Sequence, residues 1–457
     1  MSFNFDKQAV INYRLQRAQE TLGDAHLLFE QSGSLWSVIN RAYYAMFYAV
    51  LALLASIGKG ASKHSGVIAL FDQHFVKPGH FPKEMSKAIH KVFDLRQAVI
   101  LCSGSSAPRL KEKAELLPGR GLEGNERYIK PLSFREFVLQ VVSYLAEVLP
   151  SEELAVRFGR LQPVLSRCEI ELEASLEEIR KAMSELLPYK RELQYLFRLY
   201  LITGGIPLVI NHYLKNRYQD SQEKIDSQVA EIFMRSVLGD LSQLKRQETL
   251  AREILRALAA KYGSRYSFST LSHELERHHL TIIDYLTLMQ ESFILFVLYA
   301  YDFGRMEVKD KGDKKIYFLD PFVYYSVRSY LNGREVWKVI TETAEDEDRL
   351  GGVVEGVVLS HLLMHKEVPY LREGRTFLWT YYDRAGRELD AVIRLAKGYR
   401  AVEVKYQAQV DERNLRRTAP IKDYILLSRD EVGGRNNLLI APVDIFLSLL
   451  PVSKGNV

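Results

Sequence analysis

The chain has 457 residues, 47% of them hydrophobic and 26% charged, which is enough apolar material for about two to four globular cores and excludes a disordered chain. Its 62 Lys and Arg against 57 Asp and Glu leave a formal net charge of only +5, so attraction to nucleic acid or a membrane has to come from local patches. The two cysteines, Cys102 and Cys168, exclude a disulfide framework or a four-cysteine zinc site, and the N-terminal MSFNFDKQAVINYR lacks the basic start and apolar core of a secretory signal, so a cytoplasmic protein is expected.

From Lys7 to Arg96 apolar residues recur at three- and four-residue spacing, and the only prolines, Pro78 and Pro82, fall together at one turn. This predicts an all-α bundle. The uncharged run from Ala42 to Gly58 is just short of a membrane span and carries Tyr43, Tyr44 and Tyr48 along its length, so a buried bundle helix is expected and no membrane association. The strings NRAYYAMFYAVLALL, KHSGVIALFDQHFVKPG and FDLRQ resemble the HEPN family, small helical domains that often dimerise and in some members cut RNA. The resemblance covers residues 1–97 and implies a homo-oligomer held through the N-terminal helices. Catalytic members resemble one another in an R-x(4–6)-H motif, whose Arg steadies a phosphate and whose His moves a proton during attack by the ribose 2′-OH. None of the eleven histidines here stands at that distance after an Arg; counting from Arg41, the place falls on Tyr48. A phenol with a pKa near ~10 is a poor base at neutral pH. Arg41, His64 and Arg96 therefore read as packing and capping residues, with an HEPN ribonuclease kept as an alternative function.

At Ala98 the character changes to a short apolar run, AVILCSGSSA, of the kind a buried parallel strand shows. That string, with LPGR (Leu117 to Arg120), PLSFREF (Pro131 to Phe137) and YLITGGIP (Tyr200 to Pro207), resembles the second half of a family of archaeal and bacterial AAA-type ATPases. The resemblance implies a truncated ATPase remnant over 98–245 with a helical lid at Ser151 to Arg198, and a γ-phosphate sensor at Ser105 or Ser106. ATP turnover needs G-x-x-x-x-G-K-[ST], whose backbone N–H groups cradle phosphates while the Lys and hydroxyl reach the terminal phosphates and Mg²⁺. The strings GKGASKHSG and GSSAPRLKEK lack the spacing and the Lys-Ser/Thr end, so neither nucleotide binding nor ATPase activity is expected. Both the HEPN and the ATPase resemblance break off at this one junction, as a gene fusion would leave them.

Residues 246–306 read as a winged-helix-like unit, with Thr281 and Asp284 as a capping box before Ile282, Leu286, Met289 and Phe293. Arg277, His278 and His279 stand where a DNA reader meets phosphate or bases, although LTIIDYLTLMQESFILFVLYAY is apolar enough for packing to be its main role. A connector follows over 307–350, with the acidic run Glu342 to Asp348, and Gly351-Gly352 is the expected flexible joint. The last domain, 351–457, begins near Val353.

Its TFLWTYYDRAGRELDAVIRLAKGYRAVEVKYQ reads as three antiparallel strands parted by Asp383 to Gly386 and by Lys397-Gly398. Glu403 and Lys405 share one strand face, Asp390 lies on the preceding strand at hairpin distance, and a helix carrying Glu355 precedes them. V-E-V-K alone is also an ordinary half-buried strand. In this order the four residues resemble the α/β PD-(D/E)xK nucleases, with Asp390 in the second motif, Glu403-x-Lys405 as the third, Glu355 as the helix acid, and Glu388-Leu389 where the motif name has Pro before Asp. The resemblance implies Mg²⁺ held by Asp390, Glu403 and the carbonyl of Val404, with Lys405 serving the attacking water or the transition state. The expected function is thus Mg²⁺-dependent hydrolysis of a nucleic-acid backbone, DNA favoured, by a chain without ATPase activity. The alternative of another class is a non-catalytic nucleic-acid-binding or interaction scaffold that dimerises through the HEPN helices.

Overall fold

The computed structural model describes residues 7–30, 35–61, 63–96, 130–149, 151–243, 246–365, 377–418 and 420–451. The strand expected over 98–107, with Ser105 and Ser106, and the LPGR string lie outside these described residues. The chain divides into two compact units, Met1–Ser103 and Gly104–Val457.

The first unit contains α1 (Lys7–Glu30), α2 (Leu35–Ser56), α3 (His64–Phe71), which runs on into a π-helical turn at Asp72–Val76, and α4 (Lys83–Arg96). Helix α1 turns small residues inward, Ala18, Thr21 and Ala25, which lets it lie close along α2. Arg14 of α1 reaches across to the Leu51 carbonyl at 2.7 Å. The core proper is Val50, Leu54, Val67, Ile68, Phe71 and Ile89, from the apolar faces of α2, α3 and α4. Among the described residues no single helix is long and apolar enough to cross a membrane.

The second unit opens with α5 (Phe134–Val148), α6 (Glu152–Leu165), α7 (Leu176–Leu186), α8 (Lys190–Thr203), α9 (Pro207–Tyr218), α10 (Ser227–Gln243) and α11 (Glu248–Ala260). Next come β1 (Arg265–Tyr266), α12 (Phe268–Glu274), α13 (His279–Glu291), β2 (Leu295–Tyr299), the ribbon β3 (Tyr301–Asp302) and β4 (Glu307–Val308), and β5 (Lys314–Phe318). Strands β1, β5 and β2 form an antiparallel sheet in that order. Helices α14 (Pro321–Asn332), α15 (Val336–Glu345) and α16 (Glu347–Met364) lead to β6 (Leu378–Tyr382), β7 (Glu388–Leu395), β8 (Gly398–Val404), β9 (Ile421–Ser428), β10 (Leu438–Pro442) and α17 (Val443–Leu449). The second sheet has the order β10-β9-β8-β7-β6; β6, β7 and β8 pair antiparallel, whereas β8 with β9 and β9 with β10 pair parallel.

The motifs quoted from the sequence have structural work in common. Ser133 caps α5 in a full capping box with Glu136, and the Leu132 N–H bonds the Gly205 carbonyl at 2.8 Å, so PLSFREF and YLITGGIP meet backbone to backbone. Gly205 has no space for a side chain, because an added Cβ would lie 2.1 Å from the Leu132 carbonyl oxygen. The Gly205 N–H in turn bonds Asp320 at 2.7 Å, and Asp320 caps α14.

Three expectations are corrected. Gly351-Gly352 is no joint, since both lie inside α16, and Val353 is mid-helix; small residues here let α16 pack on Tyr262, whose hydroxyl would lie 2.4 Å from a Cβ at the neighbouring Gly356. Helix α13 starts ahead of Thr281 with His278 as its N-cap, so the Thr281–Asp284 capping box does not form. The segment expected as a connector supplies β5 to the small sheet and α14 and α15 to the core. One apolar core runs from Phe134 to Leu450, and buried guanidinium groups sew its ends together: Arg135 of α5 donates to the carbonyls of Leu165, Cys168 and Ser448, and Arg400 of β8 to those of Leu172 and Ala174. From Phe134 onward, the described parts of the segments expected after residue 97 thus share one core.

Candidate functional site

In the first unit, His64 Nδ1 is 2.7 Å from the Tyr43 hydroxyl, and its ring stacks on Phe47 with centroids 4.1 Å apart. Arg41 pairs with Asp24 at 3.7 Å across the α1–α2 contact. Arg41 and Tyr48, seven residues apart on α2, lie on one helix face, with Tyr44 between them. The side chain of Arg96 is outside the described residues.

In the second unit the strand alternation decides which side chains meet. The register Ala391↔Val402 places Asp390 beside Glu403, and the Asp390 N–H donates to Glu403 Oε2 at 3.2 Å while the Val404 N–H donates to Asp390 Oδ2 at 2.9 Å. Lys405 caps the group, its Nζ 2.8 Å from Glu403 Oε1. Glu355 enters from α16. The structure therefore brings Glu355, Asp390, Glu403 and Lys405 together.

It also brings in Lys315 and Tyr317, which the sequence reasoning missed, and Glu388, which it named only at the motif's Pro position. Lys315 of β5 stands at the centre, its Nζ 2.7 Å from Glu355 Oε1, 3.0 Å from Glu388 Oε1 and 3.1 Å from Asp390 Oδ1. The Tyr317 hydroxyl donates to Glu355 Oε1 at 2.5 Å. One signal was available: Lys315 and Tyr317 are two apart in the run KKIYF, so they share a strand face where the polar KDKGDK gives way to apolar residues. What brings that face to Asp390 is tertiary, for Ala300 bridges Thr380 and lays the small sheet beside β6.

Electrostatics divide the acids. Burial and the charge of Asp390 push Glu355 and Glu403 above the ordinary carboxylate range, Glu355 to about 8 and Glu403 to about 7. Burial would raise Asp390 too, but Lys315, Lys405 and the Val404 N–H outweigh it and hold Asp390 below its usual value. Burial disfavours the Lys315 ammonium, yet Asp390, Glu355 and Glu388 more than offset that and keep it charged. Four carboxyl groups meet two ammonium groups here, and the raised proton affinity of Glu355 and Glu403 lessens the excess of negative charge.

The Mg²⁺ that the resemblance implies does not fit this arrangement. Asp390 has one oxygen on Lys315 and the other on the Val404 N–H, and Glu403 has one on Lys405 and the other on the Asp390 N–H. Among the described residues the group that brings three ligand atoms within 4.8 Å of one another is Glu171, Glu173 and His365, which includes none of these acids.

The HEPN domain family matches residues 11–100, and two domains of unknown function, DUF8612 and DUF4143, match residues 194–333 and 350–439. A UPF0332 protein of Thermotoga maritima is 46% identical over 92 residues, 20% of this chain and 69% of that protein. An uncharacterized protein of Methanocaldococcus jannaschii is 25% identical over 243 residues, 52% of this chain, which spans only 44% of that relative. A proposed toxin of the same organism is 34% identical over 93 residues, 20% of this chain and 69% of that protein. No solved structure matches. Through its N-terminal unit, the chain belongs to the HEPN family.

Proposed function

We propose that the chain is a nucleic-acid-associated protein whose second unit meets the backbone, DNA favoured, at the nuclease-type cluster of Glu355, Asp390, Glu403 and Lys405, while the HEPN helices join two copies. The observation that carries this reading is that a helix and two strands deliver three acids and the E-x-K lysine to one place. Lys405, 48% exposed where Lys315 is 2% exposed, is the cation that a phosphodiester can reach, and Glu403 holds it in position. No hydrolytic step is assigned to a metal ion, for the reason given by the donor set. The resemblance to an AAA-type remnant without a phosphate loop supports an ATP-independent role.

The test is anisotropy of labelled single- and double-stranded DNA and RNA. Wild type is expected to bind one of them, and Lys405→Ala to bind at least about five-fold more weakly, in line with the loss of one charge-assisted phosphate contact. Equal binding by both proteins refutes the assignment. A second reading, an HEPN ribonuclease, is favoured by the relatives with toxin in their names. It requires RNA cleavage in the presence of EDTA that is lost in Arg41→Ala and Tyr48→Phe.

A further inference from the structure

Lys315 is the most deeply placed charge of the cluster, and its partners decide what it does. Three carboxylates from two elements, Glu355 of α16 and Glu388 and Asp390 of β7, converge on its Nζ within 3.1 Å. Convergence of carboxylate oxygens from separate elements on one point is what binds a hard divalent cation. Here a side chain of the chain itself occupies that point, delivered by a strand of the other sheet. We infer that the Lys315 ammonium is the resident cation of this site, held by Glu355, Glu388 and Asp390 and sharing Asp390 with the metal position that the nuclease resemblance implies.

This rests on reading the cluster as nuclease-type, and it adds a property that reading lacks: the wild-type site excludes divalent cations. Two features argue that the placement is built in. The lysine side chain is only 2% exposed, so it is buried along its length with the acids it meets. Tyr317, on the same strand face, fixes the Glu355 oxygen that Lys315 touches, so the strand brings both the cation and a donor that orients its partner. Removing the ammonium leaves the acids facing one another uncompensated, a strong demand for another cation.

The experiment is calorimetric titration of the full-length chain with Mn²⁺ alone, for wild type, Lys315→Met and Lys315→Met/Asp390→Asn, with melting curves on the same samples. Wild type is expected to bind no Mn²⁺ at this cluster. Lys315→Met is expected to gain one site at least ten-fold tighter than any in wild type, to melt lower than wild type without Mn²⁺ and to recover with it. The double variant should lose that site, which separates it from binding elsewhere, as at Glu171 and Glu173. Should Lys315→Met fail to fold, Lys315→Met/Glu388→Gln leaves the formal charge of the cluster unchanged and keeps the three deeper acids; it should show the same gained site. Mn²⁺ bound equally by wild type and the lysine variants overturns the inference, and so does a folded lysine variant that gains no site. Nucleic-acid binding by wild type, measured in parallel, tests the functional reading separately: its absence removes that reading whatever the Mn²⁺ comparison gives.

Discussion

Asp390→Asn separates two opposite expectations for the same substitution. From the sequence, two carboxylates facing across a hairpin repel, and neutralising one should relieve strain. In the folded chain the larger effect has the other sign. Asn keeps the shape and one acceptor for the Val404 N–H, but its amide N–H₂ replaces an oxygen 3.1 Å from the Lys315 ammonium. Breaking a buried ion pair by removing one partner costs about 3–5 kcal/mol. Lys315 retains Glu355 and Glu388, so the lower part of that range applies, and relief of repulsion is small because Glu355 and Glu403 already hold protons more tightly than free carboxylates. A net loss of about 2 kcal/mol is expected. Urea unfolding followed by the near-ultraviolet signal of Trp337 and Trp379, both in the second unit, measures it. An Asp390→Asn chain as stable as wild type, or more so, would refute the claim that Lys315 depends on Asp390.

Gly205→Ala should destabilise the second unit by more than about 3 kcal/mol, since its Cβ would meet the Leu132 carbonyl at 2.1 Å, whereas Gly159→Ala, with nothing within 4 Å on the exposed face of α6, should stabilise it by up to about 1 kcal/mol; a similar response at both sites would contradict the packing described. Buried His361 accepts the Phe134 N–H at Nε2 and donates from Nδ1 to the Val357 carbonyl, so protonation would set a donor against a donor, and burial lowers its pKa from 6.5 to about 4. Because the unfolded state then binds the proton first, stability should be full above about pH 6.5 and fall as pH drops toward 4, by about 3 kcal/mol in all, and His361→Gln should flatten that part of a denaturation-versus-pH series. Leu15, Leu22 and Phe29 are exposed at seven-residue spacing on α1, and Leu22→Glu should lower the oligomeric state seen by light scattering, an unchanged mass counting against association through this helix.

Periodicity along the chain was sufficient for the N-terminal helices, and the turn residues Asp383 to Gly386 and Lys397-Gly398 marked off β6, β7 and β8, although β7 and β8 are buried on both faces. The same repeat put Glu403, Lys405 and Asp390 within reach of one another, as hairpin partners are. It misled at Gly351-Gly352, where glycine signals a break by local rules but serves here to let a helix approach Tyr262. It gave no warning of the parallel strands β9 and β10, or of Lys315, which is 75 residues from Asp390. A lysine at the polar start of a strand, as in KDKGDKKIYF, carries no local mark of the anion that neutralises it. Which anion, and hence whether the acids face a metal ion or an ammonium, is decided by how the two sheets come together, because Coulomb attraction in a buried site depends on distance in space and leaves no local pattern in the chain.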